Sequence, residues 1–210
     1  MQYVLNDFFC VYYSHVGKRT LLLIGSDFHS NLVFREVRST NLDVVICRQL
    51  PNVERQFNLF MKCTFIQKKQ FLESICVNYF RKITQRKFEI HPTIRNNHEL
   101  SEIIKIYQID KVMMFKVGLI IDVATLSLFP NIFNIHCAMI PKYAGLGAIS
   151  KALMNHEYSQ FAVLYKINEK IDFGDIIDRE PYTLEKGICF YKNEDLAYRA
   201  GIRLLLRHLS

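Results

Sequence analysis

Asn134 and His136 stand two residues apart in the apolar run NIFNIH. In an extended chain, residues i and i+2 project to one face, so the amide and the imidazole point together. At the carboxyl edge of a parallel sheet, where open α/β folds bind ligands, that pair has a chemistry. An amide donates to a developing oxyanion, and an imidazole donates or exchanges a proton near neutral pH. Taken alone, Asn-x-His more often describes polar groups satisfied within their own loop. Asp172 and Asp175 strengthen the pair, because they flank a glycine in IDFGDII, after the apolar run FAVLYKI. A turn there brings a carboxylate back to the same edge, and a carboxylate beside an imidazole fixes its orientation and favours its charged form.

The elements that must position these residues follow from hydrophobic periodicity. Thr20 to Ile24 reads as a buried strand, Gly25-Ser26-Asp27 as a loop, and Ser30-Asn31 as the opening of an amphipathic helix through Val37. Leu42 to Cys47 is a second strand, whereas Pro51 to Ile94 keeps no persistent period and reads as mixed helix and loop. Leu100, Ile103, Ile104 and Tyr107 fall at helical spacing after Asn97, with Glu99 and Glu102 in the first turn. Lys111 to Phe115 is a strand, Asp122 caps a short helix, and Ile132 to Ile135 opens the strand carrying the amide and imidazole. Beyond it come a helix at Ala148 to Asn155, strands at Phe161 to Ile167 and Ile176 to Leu184, and a closing helix. That helix sets Leu196, Ala200, Leu204 and Leu205 on one face and Arg199, Arg203 and Arg207 on a solvated one. Alternating strands and helices predict an α/β fold, a Rossmann-like, mostly parallel sheet flanked by helices.

Composition narrows the classes. Half of the 210 residues are hydrophobic and 22% are charged, enough for one domain with an extensive core and against disorder. One domain over residues 1–210 is expected, residues 1–18 forming an N-terminal extension to it. The net charge of +7 and pI near 9.1 suit an anionic partner of any kind, but the basic residues are scattered and read as a solvated face. No nucleic-acid partner is expected. Six cysteines form no CxxC pair and have no neighbouring His at zinc spacing, so no metal is expected. The N-terminus is a poor signal peptide, and no run reaches the roughly 18 apolar residues of a membrane span. No membrane partner and a cytoplasmic location are the expectation.

NIH at Asn134 to His136, IPKYAG at Ile140 to Gly145 and IDFGDII at Ile171 to Ile177 together resemble the 10-formyltetrahydrofolate-dependent formyltransferases. That family includes glycinamide ribonucleotide, methionyl-tRNA and sugar-nucleotide enzymes. The resemblance runs from about Glu99 to Leu184 and fades upstream. It implies a formyltransferase-type fold with Asn134, His136 and Asp172 as the catalytic residues. It also implies 10-formyltetrahydrofolate as co-substrate, with Lys116, Val117, Gly118, Leu119 and Ile120 walling the pteridine. Lys142 and Gly145 of the IPKYAG loop, with Ser30 and Asn31 at the start of the first helix, are the implied substrate-binding residues.

Two departures bear on the acceptor. Cys137 follows the histidine where the family commonly has proline, and GSDFHSN is longer than the compact Gly-x-Gly-Ser-Asn loop of the glycinamide ribonucleotide enzymes. Backbone amides at Ser30 and Asn31 suit a phosphate, and equally a simple N-cap. The sequence closes on its last helix, so the further domain of the tRNA enzymes is not expected. The expectation is therefore formyl transfer to a primary amine on a nucleotide-linked amino sugar. Glycinamide ribonucleotide and a non-catalytic folate- or nucleotide-binding role are the alternatives.

Overall fold

The structure, a computed structural model, describes residues 19–40, 42–51, 53–83 and 92–209. The extension expected at residues 1–18 lies outside them. Seven strands form one sheet: β1 (Thr20–Ile24), β2 (Val44–Gln49), β3 (Thr93–Ile94), β4 (Lys111–Phe115), β5 (Ile132–His136), β6 (Ser159–Lys166) and β7 (Asp175–Thr183). Their spatial order is β3-β2-β1-β4-β5-β6-β7. The first five run parallel, and β6 and β7 turn antiparallel. Among the described residues there are also seven helices: α1 (Phe28–Arg38), α2 (Val53–Met61), α3 (Phe65–Ile83), α4 (Asn97–Ile106), α5 (Val123–Leu128), α6 (Ala148–Met154) and α7 (Phe190–Leu209).

The continuous apolar runs of β1 and β4 arise because both faces of the central sheet are covered. On one face Leu22, Ile24, Met113, Phe115 and Ile135 pack with Val33 and Phe34 of α1 and with Leu204 and Leu205 of α7. On the other, Leu21, Leu23, Val112, Met114 and Ile132 pack with Leu100 and Ile104 of α4. Each such side chain stabilises the fold by about 2 kcal/mol relative to exposure, so the central strands form a stiff platform. The residue after His136, Cys137, points to the α7 face. A Cβ on Gly201 of α7 would come within 2.6 Å of its Sγ. A helical glycine costs about 1 kcal/mol, and here it lets α7 close over the thiol. Burial pushes that thiol up to about 12, so Cys137 serves as an inert apolar filler.

Several expectations are revised. The described residues between Pro51 and Ile94 are chiefly two helices, α2 and α3, and α3 packs on α1 and α7. Helix α1 starts at Phe28, with Asp27 as its N-cap, two residues ahead of the expected opening at Ser30. Only Glu99 lies in the first turn of α4. The arginine face of α7 is solvated as expected, with Arg199, Arg203 and Arg207 exposed, and the last two also pair with Glu180 of β7, holding α7 to the edge strand.

Candidate active site

Strand β5 turns Ile135 into the α7-side core and leaves Asn134 and His136 on the opposite face, as its alternation requires. Antiparallel pairing sets Asn134 directly opposite Tyr165 of β6. Facing residues of neighbouring strands lie within side-chain reach, and Asn134 Nδ2 donates to the Tyr165 hydroxyl at 2.9 Å. That hydroxyl in turn donates to Asp172 Oδ1 at 2.6 Å.

Asp172 reaches this position on the turn between β6 and β7. It is 7% exposed and adopts the left-handed conformation, φ 56°, that aspartate tolerates better than most residues. The turn presses so closely on β6 that a Cβ on Gly174 would lie 1.6 Å from the Lys166 carbonyl oxygen. Only glycine fits there. Asp172 Oδ2 accepts the Gly145 N–H at 2.7 Å and lies 3.4 Å from His136 Nδ1. His136 Nε2 donates to the Tyr143 carbonyl at 2.8 Å. Both ring nitrogens thus face acceptors.

Burial, then the neighbouring Asp172 charge, raises the Tyr165 pKa, so the hydroxyl keeps its proton and remains a donor to the carboxylate. Tyr165 is the residue that sequence reasoning missed. Its signal was present as register, since a strand antiparallel to β5 must set one side chain opposite Asn134. The direction of β6 was the missing datum.

The remaining candidates occupy different settings. Gly145 contributes its backbone N–H to Asp172, while Lys142 is half-exposed and paired with Glu157. Following β4, Val117 and Leu119 pack against the core, Gly118 N–H donates to Gln49 at 2.7 Å, and Ile120 is 46% exposed. This short apolar wall suits the face of a planar heterocycle. Lys116 turns away from it to the start of α1, where its Nζ lies 2.6 Å from Asp27 Oδ2 and 3.4 Å from His29 Nδ1. Ser30 and Asn31 are buried within α1, and the Ser30 N–H is held by Asp27 Oδ1 at 2.8 Å.

The comparisons agree with this architecture. The profile of the Formyl transferase family matches residues 62–184, a span that contains Asn134, His136, Tyr165 and Asp172. Methionyl-tRNA formyltransferase of Orientia tsutsugamushi is 28% identical over 120 residues, covering 57% of this chain and 39% of that protein. This chain thus spans well under half the length of that relative. Glycinamide ribonucleotide transformylase 1 of Symbiobacterium toebii superposes with a TM-score of 0.65 at 15% identity, covering 91% of this chain and 85% of that one. A Mycobacterium tuberculosis protein assigned to the sugar N-formyltransferases superposes at 0.62 and 13% identity, covering 90% and 65%. The chain belongs to the formyl transferase family.

Proposed function

We propose that the chain transfers a formyl group from 10-formyltetrahydrofolate to a primary amine, with Asn134, His136 and Asp172 as its catalytic residues. The linked contacts Asn134–Tyr165–Asp172–His136 at the end of β5 carry this reading. The folate donor supplies an activated formyl carbon on nitrogen. Asn134 Nδ2 carries two hydrogens, one spent on Tyr165, and the second serves the formyl oxygen as negative charge develops there. The His136 Nε2–H is held by the Tyr143 carbonyl, and it shifts to that oxygen because an oxyanion accepts more strongly than a carbonyl. Asp172 holds the imidazole and takes part in moving the proton that leaves the attacking amine. The folate nitrogen receives a proton as its bond to the formyl carbon breaks. Val117, Leu119 and Ile120 would hold the pteridine as an apolar wall.

For the acceptor we propose a nucleotide-linked amino sugar. Support comes from the altered loop at Ser26 to Asn31 and from the likeness to the M. tuberculosis sugar N-formyltransferase fold. Methionyl-tRNA is the second reading, favoured by the named identity of the O. tsutsugamushi relative. Incubating the protein with 10-formyltetrahydrofolate and each amine in turn, with tetrahydrofolate release and product mass as readouts, tests both. Formylation of the amino sugar alone is the expected result. Absence of product with every amine overturns the reaction, and formyl-methionyl-tRNA as sole product overturns the acceptor.

A further inference from the structure

The order β2-β1-β4 makes the carboxyl ends of β1 and β4 the point where the chain departs to opposite sides of the sheet. Open α/β folds seat anionic ligands in that crevice, against the N-terminus of the helix that follows β1. Here two donors of that helix start are already used. Asp27 Oδ1 accepts the Ser30 N–H at 2.8 Å and the Asp27 carbonyl accepts the Asn31 N–H at 3.1 Å. The Ser26 hydroxyl donates inward to the Gln49 carbonyl at 2.9 Å.

Two cations flank that opening and both are committed: Arg48 Nη1 donates to the Gly25 carbonyl at 3.5 Å. Lys116 Nζ lies 2.6 Å from Asp27 Oδ2, and 3.6 Å from the centre of the Tyr198 ring. Burial alone would lower the Lys116 pKa, but the charge and hydrogen bond of Asp27, with the neighbouring Tyr198 and Glu194, together outweigh it and the net direction is upward. Burial raises the Asp27 carboxyl, and the charge and hydrogen bond of Lys116, with the Ser30 N–H and His29, together overcome that and take it down to about 2. The two are therefore a fixed ion pair at any working pH. Behind them His29, 1% exposed, binds Asp195 at 2.7 Å and adds no positive charge, since burial lowers its pKa. The Asp27 side chain is 36% exposed, so the group facing an incoming ligand at this helix start is a carboxylate.

We infer that Asp27 is the chain's own anion at the switch point, and that the acceptor amine is bound without a phosphate monoester at the start of α1. The statement about the acceptor rests on the formyl-transfer reading; the exclusion of phosphate does not. Asp27 is thus a specificity-determining residue, absent from the substrate set expected from sequence, and it separates this chain from an enzyme for glycinamide ribonucleotide.

Titration of inorganic phosphate into the wild type and Asp27→Asn tests the exclusion without any turnover. Asparagine keeps the N-cap acceptor and removes only the charge, which frees Lys116. Phosphate should bind Asp27→Asn at least about tenfold more tightly than the wild type. Equal affinities, or submillimolar binding by the wild type, would overturn the inference. Should Asp27→Asn fail to fold, the wild-type titration still decides, because only weak binding in the tens of millimolar or above fits an occupied site. A second arm compares glycinamide ribonucleotide with its dephosphorylated riboside as ligands of the wild type. Affinities within about threefold support the inference, and a tenfold preference for the phosphorylated form overturns it. Phosphate exclusion in a protein that formylates no amine would count against the proposed reaction alone.

Discussion

Two of the histidine–aspartate pairs among the described residues, His136–Asp172 and His29–Asp195, differ in what meets the other ring nitrogen. His136 has Asp172 on Nδ1 and the Tyr143 carbonyl on Nε2, both acceptors. His29 has Asp195 on Nε2, while Lys116 donates to its Nδ1. A carbonyl calls for an N–H and an ammonium calls for a lone pair. The first ring is therefore flanked by acceptors on both sides, and the second by an acceptor and a donor. Exposure follows the same division, with side-chain values of 14% for His136 and 1% for His29. Only the His136 pair falls within the span matched by the family profile; His29 and Asp195 lie outside it on both sides. On the proposed reaction, the His136 pair is the reactive one and the His29 pair a structural strut, and the third partner of each ring is what separates them.

The sharpest way to break this comparison is to neutralise both carboxylates separately. Asp172→Asn should lower turnover at least about a hundredfold while leaving the fold intact. Asparagine accepts the left-handed backbone of this position. His136→Ala should show a loss of the same order. Asp195→Asn should instead leave turnover within about threefold and lower the melting temperature, since its partner is buried. Circular dichroism and steady-state rates on the same preparations distinguish the outcomes. Near-normal turnover in Asp172→Asn would remove the functional difference between the pairs.

A smaller effect is expected from Tyr165→Phe, which preserves shape while cutting the bridge from Asn134 to Asp172. Both neighbours lose a hydrogen-bond partner in a buried setting, at a cost of about 1–3 kcal/mol. Turnover should fall about tenfold with KM changed less than twofold, because the hydroxyl holds groups that act in the transition state and need not touch the substrate. A selective rise in KM would instead place Tyr165 against the substrate.

The parts of this site that sequence made legible are those governed by local rules. Alternation put Asn134 and His136 on one face of β5, and a glycine-containing turn pointed to the return of Asp172. The strand Lys111–Phe115 and the Asp122 cap of α5 were equally readable, since each depends on near neighbours alone. Tyr165 was not, because its role depends on which way β6 runs against β5. The helix α3 was obscured by its own surface. Phe65, Ile66, Leu72 and Ile75 are all substantially exposed, so apolar residues do not mark its buried side. Asp27 and Lys116 were read as loop residues on separate segments, and only the parallel register of β1 and β4 brings them together.

The subtlest expectation concerns the charge state of His29 itself. Burial lowers its pKa from the ordinary 6.5, against the opposing pull of Asp195. In the unfolded chain the ring takes up a proton near 6.5, whereas in the folded chain it resists until lower pH. Its contribution to stability is therefore complete above pH 6.5 and is lost as the pH falls below it, by at most about 1.4 kcal/mol per pH unit. His29→Gln supplies one donor for Asp195 and one acceptor for Lys116, like the neutral ring, but does not titrate. Glu194, raised by burial, acts in the opposite sense and is common to both proteins, so the difference between them isolates His29. Between pH 7.5 and 5.5 the wild type should lose several degrees more in melting temperature than His29→Gln, since about 1 kcal/mol corresponds to 2–4 °C at this chain length. Parallel melting curves would mean that His29 carries its proton in the fold, and the distinction between the two pairs would then rest on exposure alone.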